Sequence, residues 1–215
     1  MKHFLDLGAH KFEGLATFTQ RLNIDKSWNV YSFEGDPNTH KTSIEEVYPQ
    51  IKDKYHSLES YNIAIMPYDG TVTFHSRKGA INASTGDAMD IPFTEGSTCV
   101  EKPITTRSAP EIGVECIEFE YEDVEVECLD INTVLAGIVE YDPEAVIYIK
   151  MDIEGSEFGV LPKLIESSYL KHVTAMWIEW HERFWEGEEY DQRCDERSSL
   201  TEQLKAKEVF VSWHV

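Results

Sequence analysis

Ile149-Lys150-Met151-Asp152-Ile153-Glu154-Gly155-Ser156-Glu157 is the stretch from which the fold of this chain is read. It closes a nearly continuous apolar run, Ala145 to Met151, which suits a strand buried on both faces at the centre of a parallel sheet. Asp152 and Glu154 follow at its carboxyl end, where charges are costly to bury unless they are partnered or used. Gly155 lets the turn approach a ligand closely, and Ser156 or Asp152 can cap the next helix. That helix is expected over Ser156 to Tyr169, with Phe158, Leu161, Leu164 and Ile165 on one face and Pro162 kinking it or marking a second start.

Working outward, Lys2 to Gly8 reads as a short buried strand, and Leu15, Phe18 and Leu22 recur at helical spacing after it. Asn29 to Phe33 is a second strand and Thr39 to Tyr55 a second amphipathic helix. Tyr61 to Met66 is a third strand; Asp69-Gly70 turns the chain into Thr71 to His75. Ser76 to Pro110, rich in Gly, Ser, Thr and Pro, is expected to be a long substrate-contacting loop. Val114 to Glu120 and Val124 to Leu129 alternate apolar residues with Glu, as a half-buried antiparallel pair would. A helix around Asn132 to Ile138, a strand over Val173 to Trp180, a helix over Asp195 to Lys207 and a strand over Glu208 to Val215 complete the pattern. Strands alternating with helices predict an α/β fold: a mostly parallel Rossmann-like sheet with an added antiparallel strand pair, as one domain over residues 1–215. That domain is either a compact enzyme or part of a longer polypeptide.

Composition narrows the partners. The formal charge is −21, with 41% hydrophobic residues, so the chain is globular and repels phosphate backbones and anionic lipid. No nucleic acid and no membrane insertion are expected, since no apolar run is long enough to span a bilayer. The four cysteines, Cys99, Cys116, Cys128 and Cys194, form neither a CxxC pair nor a zinc spacing. Free thiols and the lack of a secretory signal lead to the expectation of a cytoplasmic protein.

Ligands bind such sheets outside the carboxyl ends of the strands. The first strand ends in Asp6-Leu7-Gly8-Ala9-His10, without G-x-G-x-x-G, which disfavours a pyrophosphate cradle and leaves room for a nucleoside without phosphate. The second ends in Glu34-Gly35-Asp36-Pro37, and Glu34 stands where an acid would accept from ribose hydroxyls. Trp177-Ile178-Glu179-Trp180-His181 places Glu179 and His181 on one face by alternation, and histidine suits general-base work near neutral pH.

These segments resemble the FkbM family of methyltransferases. The matching pieces are Phe4 to His10, Ser32 to Pro37, Asn62-Ile63-Ala64, Leu129-Asp130, Ile149 to Glu157 and Trp177 to His181, in the family's order over residues 4 to about 184. The resemblance implies a class I methyltransferase fold, S-adenosylmethionine as donor, and O-methylation of a hydroxyl on a sugar, glycan or small natural product. It implies that Asp6, Gly8 and Ala9 border the cofactor, that Glu34 takes the ribose, that Asn62 and Ala64 lie near the adenine, and that His10, Gly35 and Asp36 belong to the same cofactor-binding set. Asp152 and Glu154 would lie at the methionine end. The chain departs from the family's Gly-Ala-Asn-x-Gly loop, having His10 and Phe12 at the third and fifth positions.

Methyl transfer from sulfonium to oxygen is an in-line displacement in which the hydroxyl must lose its proton. The expected catalytic residues are Asp152, His181 and Glu179, with His181 or Asp152 as base. A divalent metal on Asp152, Glu179 and His181 is the less favoured variant. A different class of reading is a non-catalytic Rossmann-like module binding a glycan or nucleotide within a larger assembly. A nicotinamide oxidoreductase is disfavoured by the missing glycine fingerprint. Phe93, Trp180, Phe184 and Trp185 are candidates to stack on a sugar ring.

Overall fold

The computed structural model describes residues 1–89, 97–99, 106–109 and 114–213. The strands in chain order are β1 (Lys2–Leu7), β2 (Trp28–Phe33), β3 (Ser57–Tyr61), β4 (Ala64–Met66), β5 (Gly70–Asn82), β6 (Ala88–Met89), β7 (Thr106–Ala109), β8 (Val114–Asp130), β9 (Val146–Met151), β10 (Val173–Ile178) and β11 (Phe210–Trp213). Six of them form one sheet in the order β11-β10-β9-β1-β2-β3, with every neighbouring pair parallel. The order reverses between β1 and β9, so the crevice expected of an open α/β sheet lies where those two strands end.

The helices are α1 (Glu13–Leu22), α2 (Pro37–Glu46), α3 (Tyr48–Ile51), α4 (Ile131–Tyr141), α5 (Glu157–Glu166) and α6 (Glu188–Ala206). Side-chain alternation along the strands sorts the core into two layers. Phe4, Val30 and Trp177 face α1 and α3, where Leu15, Phe18 and Ile51 meet them. Leu5, Leu7, Ile149 and Met151 face Leu135, Leu161, Leu164 and Leu200 of α4, α5 and α6. Each such side chain contributes about 1.5–3 kcal/mol through burial.

The sequence pattern misplaces several elements. The third strand of the main sheet is β3, upstream of Tyr61–Met66; the chain breaks at Asn62-Ile63 and enters a second sheet as β4. The run expected to be a hairpin is a single 17-residue strand, β8, paired along its length with β5. Its apolar stripe changes face near Glu122-Asp123: Ile117 and Phe119 are buried on one side, Val126 and Cys128 on the other. That switch of phase looks like a turn in sequence, yet it marks where one long twisted strand passes from one packing partner to another. Much of the expected loop from Ser76 is therefore strand, while residues 90–96 and 100–105, Phe93 among them, lie outside the described residues. The helix expected over Thr39–Tyr55 is divided into α2, α3 and a 3₁₀ turn, Pro49 opening the second piece. Pro162 sits inside α5, which runs through it as one helix. Among the described residues no helix is long and apolar enough to cross a membrane.

The second sheet runs β4-β8-β5-β6, with β7 on β8. Its entry and exit strands are neighbours: Ala64 pairs with Cys128 and Met66 with Asp130, in parallel. The sheet packs over the carboxyl ends of the main one and makes a roof for the crevice.

Candidate active site

A cavity of about 840 Å³ lies between the two sheets, within the range of small-molecule sites. One end is built by the turns after β1 and β2. Gly8 has φ +74°, and a Cβ there would fall 1.6 Å from the carbonyl oxygen of Asp152, so only glycine fits. His10 and Phe12 also take left-handed conformations, φ 46° and 64°. Phe12 therefore adopts without a glycine the backbone that the family's loop assigns to one, and its ring is buried in the core beside α1. The buried Glu34 carboxylate gathers this loop: it accepts from the backbone N–H of His10 at 2.7 Å and of Asp36 at 2.8 Å. Burial raises its pKa to about 7 against the pull of those two amides. Asp36 caps α2, accepting from Asn38 and Thr39 N–H, and accepts from the Ser76 hydroxyl of the roof at 2.5 Å. The Asn62 amide donates to the carbonyls of Glu34 and Gly35.

The other end gathers acids at the ends of β9 and β10. Lys150, buried on β9 opposite Asp6 of β1, donates to the Gly8 carbonyl at 2.5 Å and lies 3.1 Å from Asp152 and 3.4 Å from Asp6. Burial raises the Asp6 pKa despite the ammonium beside it. Glu154 and Gly155 both have positive φ, 51° and 102°, folding the turn back over Glu157. Glu157 accepts from the N–H of Ile153 and of Gly155 and from His181 Nδ1 at 2.9 Å. His181 Nε2 then points at three further carboxylates: Glu154 at 3.3 Å, Asp152 at 3.5 Å and Glu179 at 3.7 Å. Burial opposes a charge on this imidazole, but Glu157 and its neighbours outweigh it and raise the pKa to about 9. Burial likewise lifts Glu154 to about 7.

The roof contributes Phe74, Arg77, Ile117 and Phe119 to the cavity wall. The Arg77 guanidinium lies 4.0 Å from the Phe119 ring centroid and donates to the Tyr121 hydroxyl. Thr98 ties the roof to the floor by donating to the Glu154 carbonyl.

Of the residues singled out in sequence, Gly8, Ala9, His10, Glu34, Gly35, Asp36, Ala64, Asp152, Glu154 and Glu179 line this cavity. Asp6, Asn62 and His181 stand behind the wall: Asp6 beneath Lys150, Asn62 under the second turn, and His181 wholly buried against Glu157. Among the described residues, the trio able to approach a metal ion together is Asp152, Glu154 and His181, with Glu154 in the place given to Glu179. Phe184 reaches the cavity, while Trp180 and Trp185 pack on Phe158. Sequence reasoning did not assign Lys150, Glu157 or Arg77. The first two were signalled by charges in an apolar strand and at a helix start, whereas Arg77 arrives from a strand distant in sequence.

No curated protein sequence is significantly similar to the chain. A crystal structure of methyltransferase FkbM from Methylobacillus flagellatus KT is similar at 14% identity and a TM-score of 0.48, over 92% of this chain and 38% of that one. The chain thus spans well under half the length of that protein. The family model described as the methyltransferase FkbM domain matches residues 6–203, nearly all of the sequence, and the chain belongs to that family.

Proposed function

We propose that this protein is an S-adenosylmethionine-dependent O-methyltransferase acting on a hydroxyl of a sugar, glycan or small natural product. The observation that carries the reading is the continuity of one cavity from Glu34 to Asp152, Glu154 and Glu179. The first end suits a nucleoside: Gly8 lines the wall without a side chain, Ile63 and Ala64 offer an apolar surface, and Glu34 retains lone pairs for ribose hydroxyls beyond the two amides it accepts. The second end places carboxylates where a sulfonium cation gains from them.

When bound, the cofactor supplies a methyl group from its sulfonium and departs as a neutral thioether. Asp152, a quarter exposed at the wall, takes the acceptor's hydroxyl proton as the O–CH₃ bond forms and the S–CH₃ bond breaks. Lys150 holds the second oxygen of Asp152, fixing its orientation. His181 lies behind Asp152 and Glu154 and positions them through its charge. The roof, with Arg77 and Phe119, shapes the acceptor side.

Calorimetric titration with S-adenosylmethionine and S-adenosylhomocysteine, with NAD as control, tests the donor. Micromolar binding of both sulfur ligands and none of NAD is expected. Absence of both would leave a non-catalytic binding module as the better account.

A further inference from the structure

We propose that Asp152, Glu154 and His181, with Glu179 at the rim, form a binding site for one divalent cation of the Mn²⁺ or Mg²⁺ class. The acids alone would not make such a site. The decisive observation is His181, whose side chain is fully buried and whose Nε2 has no hydrogen-bond partner although it faces three carboxylates. Glu154 Oε2, likewise buried, also lacks one.

The spacings are longer than hydrogen bonds and near those around an ion. Carboxylate oxygens stand 3.3, 3.5 and 3.7 Å from Nε2, beyond good hydrogen-bond length. Ligand atoms sharing an ion at about 2.1 Å are separated by roughly 3.0–3.4 Å. One ligand atom each from Asp152, Glu154 and His181 already lies within 4.8 Å of the others. The remaining imidazole nitrogen is committed as a ligating histidine requires. An ionised carboxylate only accepts, so Nδ1–H donates to Glu157, and a cation that displaces the Nε2 proton meets a lone pair turned toward the acids. Glu157 is itself fixed by two backbone amides from the Asp152–Gly155 turn, so the turn and the imidazole are aligned by one side chain. One nitrogen among several oxygens suits a hard or borderline divalent ion and disfavours a soft one.

Bound there, the cation would take the acceptor's hydroxyl oxygen as a further ligand and ease the loss of its proton to the Asp152 lone pairs that the ion leaves open. This role rests on the methyl-transfer reading; the binding does not. The test is titration of the purified protein with MnCl₂ alone, followed by calorimetry and by the Mn²⁺ paramagnetic resonance signal, at an ionic strength that screens the acidic surface. One saturable Mn²⁺ per chain is expected, displaced by Mg²⁺. His181→Ala should weaken it at least about 10-fold and Glu157→Gln about 10- to 100-fold, while Glu122→Gln on the exposed strand β8 leaves it unchanged. Should His181→Ala fail to fold by circular dichroism, Glu154→Gln and the milder Glu179→Gln decide. No saturable binding, or binding unaffected by the folded variants, overturns the site. S-adenosylhomocysteine binding without Mn²⁺, measured alongside, separates that failure from a failure of the methyltransferase reading.

Discussion

Glu34, buried, and Glu154, half-buried, both have pKa values lifted to about 7, yet they sit in opposite circumstances. Around Glu34 the protein's own amides engage each carboxylate oxygen once, and Asp36 beside it is occupied as a helix cap and a latch to the roof. Around Glu154 the acids outnumber their donors: four carboxylates surround one imidazole, and Nε2 makes no hydrogen bond to any of the three it faces. The first arrangement fixes the shape of a loop at the cavity wall; the second leaves carboxylate lone pairs without donors. Acidity alone therefore says little about role, and the supply of donors nearby says much.

The contrast can be broken most forcefully at Glu157. Glu157→Ala leaves His181 and two amides without their carboxylate, and urea denaturation should show a loss of about 3–5 kcal/mol. A loss below about 1 kcal/mol would show that His181 does not depend on the pair. Next is Asp152→Asn. Methyl transfer to an accepted hydroxyl should fall about 10²- to 10³-fold while donor affinity changes only a few-fold, the mark of a group used in the transition state. Equal losses in both would move Asp152 to the binding half.

Glu34→Gln should do the reverse. Losing charge-assisted hydrogen bonds worth roughly 1.5–3 kcal/mol weakens S-adenosylhomocysteine binding by about 10- to 100-fold in calorimetry. The smallest effects are in pH dependence. Glu34 and Glu154 hold their protons longer when folded than the ordinary 4.5 allows, so their contribution to stability declines as pH rises from 4.5 to about 7. His181 keeps its proton up to about 9, so its contribution is whole below 6.5 and is lost through about 9. Melting temperature should fall across both windows. Glu154→Gln flattens the lower window, and a variant slope equal to that of the parent would contradict the burial of its charge.

The parallel half of the molecule was legible because its signals are local. Ala145 to Met151 has the apolar density of a central strand, and the acids stand at its end. Leu15 and Phe18 repeat at the helical period and are buried accordingly. The roof was not legible for a physical reason: β8 serves two cores in succession, so its alternation slips by one residue where no turn exists. The strand break at Asn62 was equally hidden, since Tyr61 to Met66 is uniformly strand-like and only sheet pairing divides it. At the site, residue types were readable, but whether an acid faces the cavity or stands behind it depends on neighbours that sequence does not display. His181 illustrates this: the strand stops at Ile178, short of the expected Trp180, so alternation does not reach it, and its place 3.7 Å from Glu179 and against Glu157 is a property of the assembled turn.

The side-by-side pairing of β4 with the end of β8 has a consequence for how such a chain can change. The roof leaves and rejoins the main body one strand spacing apart, about 4.8 Å, so it behaves as a detachable cassette held by its own closed doorway. Lengthening it alters loop-closure entropy by only about 0.6 kcal/mol per doubling, and the parallel sheet keeps its register. Selection can thus exchange the roof's share of the cavity wall while the turns of the parallel sheet are inherited unaltered.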